Sequence, residues 1–454
     1  MVRICKISKD KVLQQIHEKE IKGIIQSRTD LIDDIILSMN KEGVLECLSD
    51  GIPDRRNHNI TVPHHIIMTL AIAAKMKGRM SVTDIPFAIQ NHKTLLSLGY
   101  MSINKDCKDG WMTEGAIRAW IRKYDPEDLL KYYNEVLQDY IMPLQGIEPN
   151  IHVTDCTKLE VNIDNENYEG ATLGHDHNNN RLFRGYNLAT LRGIVGDKGV
   201  IEEIKLGTAK NNDLALSEEM LKNSKCFHEN DILIMDRGYI KRELLNYLKK
   251  ERKVDVYIPV RSDMEIYQSA IDIANHVMDW HPHPTRVGQL ISQVNNVGIF
   301  WKSDNVEEDV DLNACVVALT ENKYAVFITT DTSKTANDII RTYELRPEIE
   351  EDFRQLKDFW KLEDFKSTKL NVIAFHIICV LFGYLFYQLY LLTEDGEKYL
   401  GRSLPVLMKN YVSEWRQEYI LYSDNYFCVM KVKEFILYRD RCNEEIKDYL
   451  LSFF

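Results

Sequence analysis

The sequence predicts an α/β protein in which a mixed β-sheet is combined with helical segments at both ends of the chain. Four consecutive apolar residues, Ile232–Met235, suit a strand that is buried on both faces. Residues 186–194 and 200–206 have the composition of two strands, and the glycine-containing turn at 196–199 joins them as an antiparallel hairpin. Residues 1–148, by contrast, are predicted to be helical.

The N-terminal segment, residues 1–148, is predicted to be an all-helical domain. Thr83 and Thr113 are each followed by an acidic residue, which is typical of helix starts. Arg118 and Arg122 are four residues apart on the second of these helices and therefore place positive charge on one face. A solvated helix face is the alternative interpretation of this pair.

Two aspartates accompany predicted strands of the sheet. Asp155 follows the alternating apolar residues Ile151 and Val153, and Asp236 directly follows strand 232–235. Residues 256–260 would form the fifth strand of the sheet. An aspartate at a strand end is usually a turn or helix-cap residue, so neither aspartate identifies a site by itself.

A polar pattern with the spacing Y-x2-R-x3-E-x6-K begins at Tyr343. On a 3.6-residue helix the last three positions fall within about 60° of one another. Pro347 is tolerated only in the first turn of a helix, so a helix is expected to start near it. The common face then holds strictly for Glu350 and Lys357, whereas Tyr343 and Arg346 lie in a preceding helix or in the bend. A solvated face with i,i+4 pairs is the alternative.

Taken together, these residues resemble the DDE transposases of bacterial insertion sequences. The four polar residues look like the YREK signature of that group: Tyr343, Arg346, Glu350 and Lys357. The Asp-Arg-Gly-Tyr sequence at 236–239 is similar to the motif of the second catalytic aspartate. The resemblance covers about 149–262 and 336–392, and it implies an RNase H-like core. It also implies three catalytic, metal-binding carboxylates: Asp155, Asp236 and Glu350.

The resemblance implies cleavage and joining of DNA with two Mg²⁺ (or Mn²⁺) ions. Two ions about 3.5–4 Å apart position and stabilise the attacking and leaving oxygens, and hard cations prefer carboxylate ligands. Asp155 would bridge the ions, while Asp236 and Glu350 would each complete one. Water would first cut the phosphodiester at the end of the element, and the freed 3′-hydroxyl would then attack target DNA.

The implied partner is double-stranded DNA, at the terminal inverted repeats and at the target. Tyr343, Arg346 and Lys357 would hold backbone phosphates, and Arg118 and Arg122 would belong to the domain that binds the terminal repeats. A homodimer is expected in the active complex. Two alternatives remain: a hydrolytic RNase H-like nuclease, against which the signature argues, and a domesticated or inactive DNA-binding protein.

The acidic segment 263–335 is predicted to be a β-rich insertion. It holds 4 Lys+Arg and 11 Asp+Glu, so 7 of the 12 net negative charges of the chain lie there. Strand-like patterns occur at 297–301, 314–319 and 324–330. The predicted organisation is a helical domain (1–148), an RNase H-like catalytic domain with a helical C-terminal tail (149–262 and 336–454), and the insertion (263–335).

Composition predicts a cytoplasmic protein of two or three domains. At 454 residues the chain is long enough for several cores, and its nine cysteines lack paired spacing, which favours free thiols. Residues 372–392 are apolar and long enough to cross a bilayer, which takes about 20 residues, but His376 and Gln388 interrupt them. We therefore expect a helix buried against the sheet, no membrane partner, and nucleoid association when DNA is bound.

Overall fold

The computed structural model contains two compact units. It describes residues 6–26, 30–56, 62–89, 94, 96, 98, 113–176, 180–196, 198–320, 323–410 and 418–454. One unit comprises Met1–Tyr132 with Phe359–Phe454, and the other comprises Tyr133–Asp358. The division differs from the predicted domains, because residues 359–454 group with the N-terminal segment and the insertion stays with the catalytic strands. Sequence periodicity identifies elements, but it carries no information on their long-range partners.

The part of the chain that the structure describes contains 14 strands, 16 α-helices and six further helical turns. The strands are β1 (Lys6–Ile7), β2 (Gly23–Gln26), β3 (Ile151–Val161), β4 (Thr172–Asp176), β5 (Arg181–Val195), β6 (Lys198–Thr208), β7 (Ile232–Met235), β8 (Asp255–Pro259), β9 (His281–Pro282), β10 (Leu290–Val294), β11 (Asn313–Thr320), β12 (Lys323–Thr329), β13 (Glu418–Tyr422) and β14 (Tyr426–Lys431). The α-helices are α1 (Lys9–His17), α2 (Leu31–Lys41), α3 (Val44–Cys47), α4 (His64–Met76), α5 (Glu114–Ile121), α6 (Pro126–Glu135), α7 (Met142–Gln145), α8 (Asp213–Asn223), α9 (Arg242–Lys250), α10 (Glu265–Val277), α11 (Ala336–Tyr343), α12 (Pro347–Asp358), α13 (Leu370–Tyr390), α14 (Leu404–Asn410), α15 (Val432–Arg441) and α16 (Glu444–Leu451). The shorter helical turns are Val82–Phe87, Val136–Ile141, Arg237–Tyr239, Val297–Phe300, Val306–Glu308 and Glu397–Tyr399.

The unit Tyr133–Asp358 is built on one large mixed sheet. Five of its strands run in the order β6-β5-β3-β7-β8. The pairs β6/β5 and β5/β3 are antiparallel, whereas β3/β7 and β7/β8 are parallel. This is the RNase H-like arrangement that the sequence predicts, with the hairpin β5–β6 between the first and fourth strands in chain order.

The acidic insertion continues this sheet beyond β8. Strand β12 pairs with β8, and β11, β10 and β9 follow in that order. The predicted strands at 314–319 and 324–330 correspond to β11 and β12. The prediction for 297–301 was wrong, because Val297–Phe300 forms a 3₁₀ turn and the preceding segment supplies β10 instead. Val297 and Gly298 are buried. A short apolar run indicates a buried segment, but it does not show whether that segment is a strand or a helix.

Helices cover both faces of the sheet in this unit. On one face, α8, α9 and α10 enclose a core that includes Leu221, Leu245 and Ala270. On the other face, α11 and α12 pack on a second core that includes Val153 and Ile349. The α12 helix, which carries Glu350, therefore lies on the sheet face to which Val153 points.

The other unit combines strands from both ends of the chain. Its sheet has the order β1-β14-β13-β2, so the N-terminal segment is not all-helical and the C-terminal tail is not purely helical. Among the described residues, α13 is a helix long and apolar enough to cross a membrane, but most of it is buried within the protein. It packs against α2, α4 and α5 of this unit, whereas the sequence favoured packing on the catalytic sheet. Because α13 is apolar all around, several neighbours are needed to bury it.

Candidate active site

Strand register places the two aspartates side by side. In the parallel pair β3/β7, Thr154 lies opposite Met235, so Asp155 and Asp236 are the next residues along two adjacent strands. The pairing with β7 ends there, but β3 continues to Val161 against β5. Asp155 therefore lies within a long strand and not at a strand end as predicted, while Asp236 directly follows β7.

The third carboxylate comes from the first turn of α12. This helix begins at Pro347, as the sequence predicts. Buried Ile349 and Leu356 fix the helix on the sheet, and the carbonyl of Arg346 accepts a hydrogen bond from the Ile349 amide at 3.2 Å. The helix start therefore places Arg346 and Glu350 one turn apart, with Arg346 in contact with Asp155 inside β3 and with Asp236 just after β7.

A single guanidinium joins the three carboxylates. Nη2 of Arg346 lies 3.1 Å from Asp155 Oδ2 and 3.7 Å from Asp236 Oδ1. Nη1 of Arg346 lies 2.6 Å from Glu350 Oε1. The exposed side-chain fraction rises from 18% for Asp155 to 36% for Asp236 and 59% for Glu350. The structure thus brings together four of the residues that the sequence singled out, with Asp155 at the buried end.

The electrostatics of the site favour binding of additional positive charge. Burial raises the pKa of Asp155 to about 6, Arg346 opposes this shift, and the charges of Asp236 and Glu350 add to it. Burial alone would lower the pKa of Arg346, but Asp155 and Asp236 outweigh it and raise that pKa above its ordinary value. Three carboxylates thus share one guanidinium, and the repulsion between them is only partly compensated.

The donor set fits a hard divalent cation. Within the described ranges, no three His, Cys, Asp or Glu side chains are already arranged to hold one metal ion. At this site the Arg346 guanidinium contacts the carboxylate oxygens of Glu350 and Asp155 and stands in for a cation. Carboxylate oxygens are the ligands that Mg²⁺ and Mn²⁺ prefer.

A comparison with family models assigns the chain to a family. Residues 161–386 match the family model described as Transposase DDE domain. The chain belongs to the DDE transposases. The match includes Asp236, Glu350 and the polar signature, whereas Asp155 lies 6 residues before it. Membership of the YREK subgroup stays a prediction.

A comparison with solved structures found a weak likeness. The cryo-EM structure of a piggyBac transposase synaptic complex with hairpin DNA is 12% identical, with a TM-score of 0.43. The alignment covers 94% of this chain and 87% of that chain. No curated protein matches the sequence.

Tyr343 lies beside the carboxylates, at the wall of a cavity of about 640 Å³. Its ring packs on Phe327 with centroids 4.7 Å apart, and burial raises its pKa to about 12, so the hydroxyl stays protonated. Arg346 and His283 also line the cavity. His283 is buried, and its Nε2 has no hydrogen-bond partner among the described residues.

The remaining cations predicted to bind DNA are Lys357, Arg118 and Arg122. Lys357 donates from Nζ to the carbonyl of Lys158 on β3, three residues beyond Asp155. Arg118 belongs to α5, which Thr113 caps as predicted, and it pairs with Glu114 one turn earlier. Arg122 follows that helix and is exposed. The two arginines are in the unit that lacks the carboxylates, and their role in binding DNA stays a prediction.

Sequence reasoning missed two ion clusters, each built around a buried cationic or histidine side chain, in the catalytic unit of the transposase. One joins Arg192 to Glu348 and Asp352, and the other joins His152 to two carboxylates, Glu202 and Asp231. The available signal was a charged residue inside a predicted apolar strand, since lone buried charges are costly and are therefore paired. The sequence alone does not show which carboxylates are the partners.

Proposed function

We propose that this transposase uses Asp155, Asp236 and Glu350 to cut DNA at the ends of its element and to join the freed 3′ end to target DNA. The observation that carries the proposal is the convergence of three carboxylates, from β3, the end of β7 and α12, on the Arg346 guanidinium. These groups come from distant parts of the chain, so their convergence is a property of the folded site.

The exposure gradient suggests how the carboxylates divide the work. Asp155 is the most buried and lies next to Asp236 in the register, so it would be shared between two ions. Asp236 and Glu350, at the more open side, would each complete one ion. When bound, two Mg²⁺ or Mn²⁺ ions would stabilise the attacking and leaving oxygens of an in-line displacement.

Arg346 would change partners during this reaction. Its guanidinium now balances the carboxylates, and divalent cations would take over that role. The arginine would then be free to bind a phosphate next to the scissile bond through two parallel hydrogen bonds. The Tyr343 hydroxyl, which lines the same cavity, would donate to the same stretch of backbone, and Lys357 would add positive charge further along β3.

Double-stranded DNA is the proposed partner, at terminal repeats and at the target, with Arg118 and Arg122 contributing to repeat binding. We further propose a homodimer in the active complex and a cytoplasmic location. The net charge of −12 is compatible with this partner, because the acidity is concentrated in residues 263–335. Phosphate binding depends on local positive charge.

The test is an in vitro reaction with purified protein, Mg²⁺ and a supercoiled plasmid that carries the gene with its flanking DNA. Excised element together with joined product is the expected result. Cleavage without joining would favour a hydrolytic nuclease. Specific binding with neither cleavage nor joining would favour a domesticated binder.

Arg346 gives a second prediction. Replacing it by Gln should weaken binding of end DNA about tenfold at low salt and reduce the slope of log affinity against log salt by about one, because one phosphate contact is lost. R346K should keep most of that slope, because lysine is also a cation. It should nevertheless cleave poorly, since the lysine ammonium cannot form the two parallel hydrogen bonds of a planar guanidinium. Binding and cleavage are measured over a salt series. Unchanged affinity and an unchanged salt slope in R346Q would show that Arg346 does not contact the DNA.

A further inference from the structure

An ion cluster around a buried arginine ties the helix that carries Glu350 to the sheet. Arg192, on β5, is almost fully buried, and its Nε donates to Asp352 Oδ2 at 2.5 Å. Its Nη2 donates to Glu348 Oε2 at 2.9 Å. Both acidic residues belong to α12, and neither takes part in the proposed chemistry. Removing one partner of such a cluster leaves an uncompensated buried charge.

The angular positions around α12 indicate what this cluster controls. Successive residues are about 100° apart, so Glu348 and Asp352 lie about 40° from each other on the helix. Buried Ile349 and Phe353 face the sheet. Glu350 lies about 160° from both Glu348 and Asp352, across the buried stripe. Arg192 therefore holds one flank of the helix, and the proposed metal ligand is on the other.

We propose that Arg192 is a positioning residue that sets the rotation of α12 about its axis, and with it the distance from Glu350 to Asp155 and Asp236. The inference rests on the proposed function, because it assumes that the three carboxylates act together. A side chain about 5–6 Å from the axis moves about 2 Å when a helix rotates by roughly 20°. Such a shift is about the length of a metal–oxygen bond.

The neighbouring strand leaves space for this arginine. Gly199 lies on β6, opposite Ile194 of β5, and a Cβ at that position would lie 2.1 Å from the Arg192 guanidinium. The guanidinium is held by two carboxylates, so it has little freedom to yield. G199A should therefore displace Arg192 and reproduce the effect of its removal in weaker form.

The test is Mn²⁺ binding to the full-length protein without DNA, followed by electron paramagnetic resonance of the free ion. Loss of a residue that orients a metal ligand typically costs about 10-fold or more in affinity, which is the expected result for R192Q. E348Q should lose about 3-fold, because it removes the charge of only one of the two carboxylates that hold Arg192. R242Q is the matched control. Arg242 is a second buried arginine of the same unit, paired with Asp309 of the insertion at 3.1 Å, and R242Q should bind Mn²⁺ within about twofold of the unmutated protein.

E350Q separates this proposal from the proposed function. Weakened binding in E350Q with unchanged binding in R192Q would show that Arg192 does not position the helix. Unchanged Mn²⁺ binding in E350Q itself would instead show that Glu350 is not a metal ligand, and the proposed function would fail. Equal losses in R192Q and R242Q would reduce the effect to general destabilisation and overturn the proposal. If R192Q does not fold, the Mn²⁺ affinity of E348Q is the test instead. An unchanged affinity in that variant would overturn the proposal.

Discussion

Replacing Glu350 by Gln is expected to reduce metal-dependent DNA cleavage about 1000-fold or more while leaving specific binding of end DNA largely intact. Removing a metal ligand forfeits several kcal/mol of transition-state stabilisation, and each 1.4 kcal/mol or so is a factor of ten in rate. Binding should persist because it would rest on Tyr343, Arg346, Lys357 and the N-terminal unit. The fold should also persist, since Glu350 is exposed and exposed ion pairs contribute about 1 kcal/mol at most.

The same helix offers a matched control for this variant. Glu351 is the next residue, is about equally exposed, and pairs with Arg354. E351Q should cleave within about twofold of the unmutated protein, because a surface pair of this kind contributes little. Cleavage is scored on the supercoiled donor plasmid, and binding on labelled end DNA. Full activity in E350Q, or equal losses in E350Q and E351Q, would contradict the catalytic assignment.

His152 gives the largest expected effect on stability. It lies on β3, is fully buried, and bridges Glu202 at 2.7 Å and Asp231 at 3.2 Å. H152Q should lower the free energy of unfolding by about 3–5 kcal/mol, because it leaves buried carboxylates without their cation. The double variant H152Q/E202Q should recover part of that loss. Urea unfolding of the unmutated protein, H152Q and H152Q/E202Q measures the loss of unfolding free energy and its partial recovery.

The same histidine predicts how stability depends on pH. Burial alone would lower the pKa of His152, but hydrogen bonds to Asp231 and Glu202 outweigh burial and raise it from 6.5 to about 9. A group whose pKa is raised by folding stabilises the protein fully below its unfolded pKa and loses that contribution as pH rises. The free energy of unfolding should therefore fall by up to about 3 kcal/mol between pH 6.5 and 9.

His228 is the control for the pH prediction. It lies 3.6 Å from the same carboxylate, Asp231, but its side chain is mostly exposed. H228Q should keep the pH dependence of the unmutated protein, and H152Q should lose it. A pH dependence that survives in H152Q would assign the effect to another group.

The sequence by itself determined the elements and residues that are encoded locally. The apolar run before Asp236 predicted a buried strand, and Pro347 predicted the start of the helix that carries Glu350. The spacing of the polar residues predicted the family, which a family model matches over residues 161–386. Each of these signals is contained in a few consecutive residues, because backbone preferences, turn chemistry and side-chain periodicity act over that distance.

Only the tertiary structure decided which distant residues meet. It placed Asp155 beside Asp236 through the register of β3 and β7, put Arg346 between the carboxylates, and joined Arg192 to α12 across 160 residues of chain. It also paired β1 and β2 with β13 and β14, which local patterns had not indicated. Strand pairs and buried ion partners are selected by packing and desolvation over the whole domain, and one charged residue in a sequence is compatible with many partners.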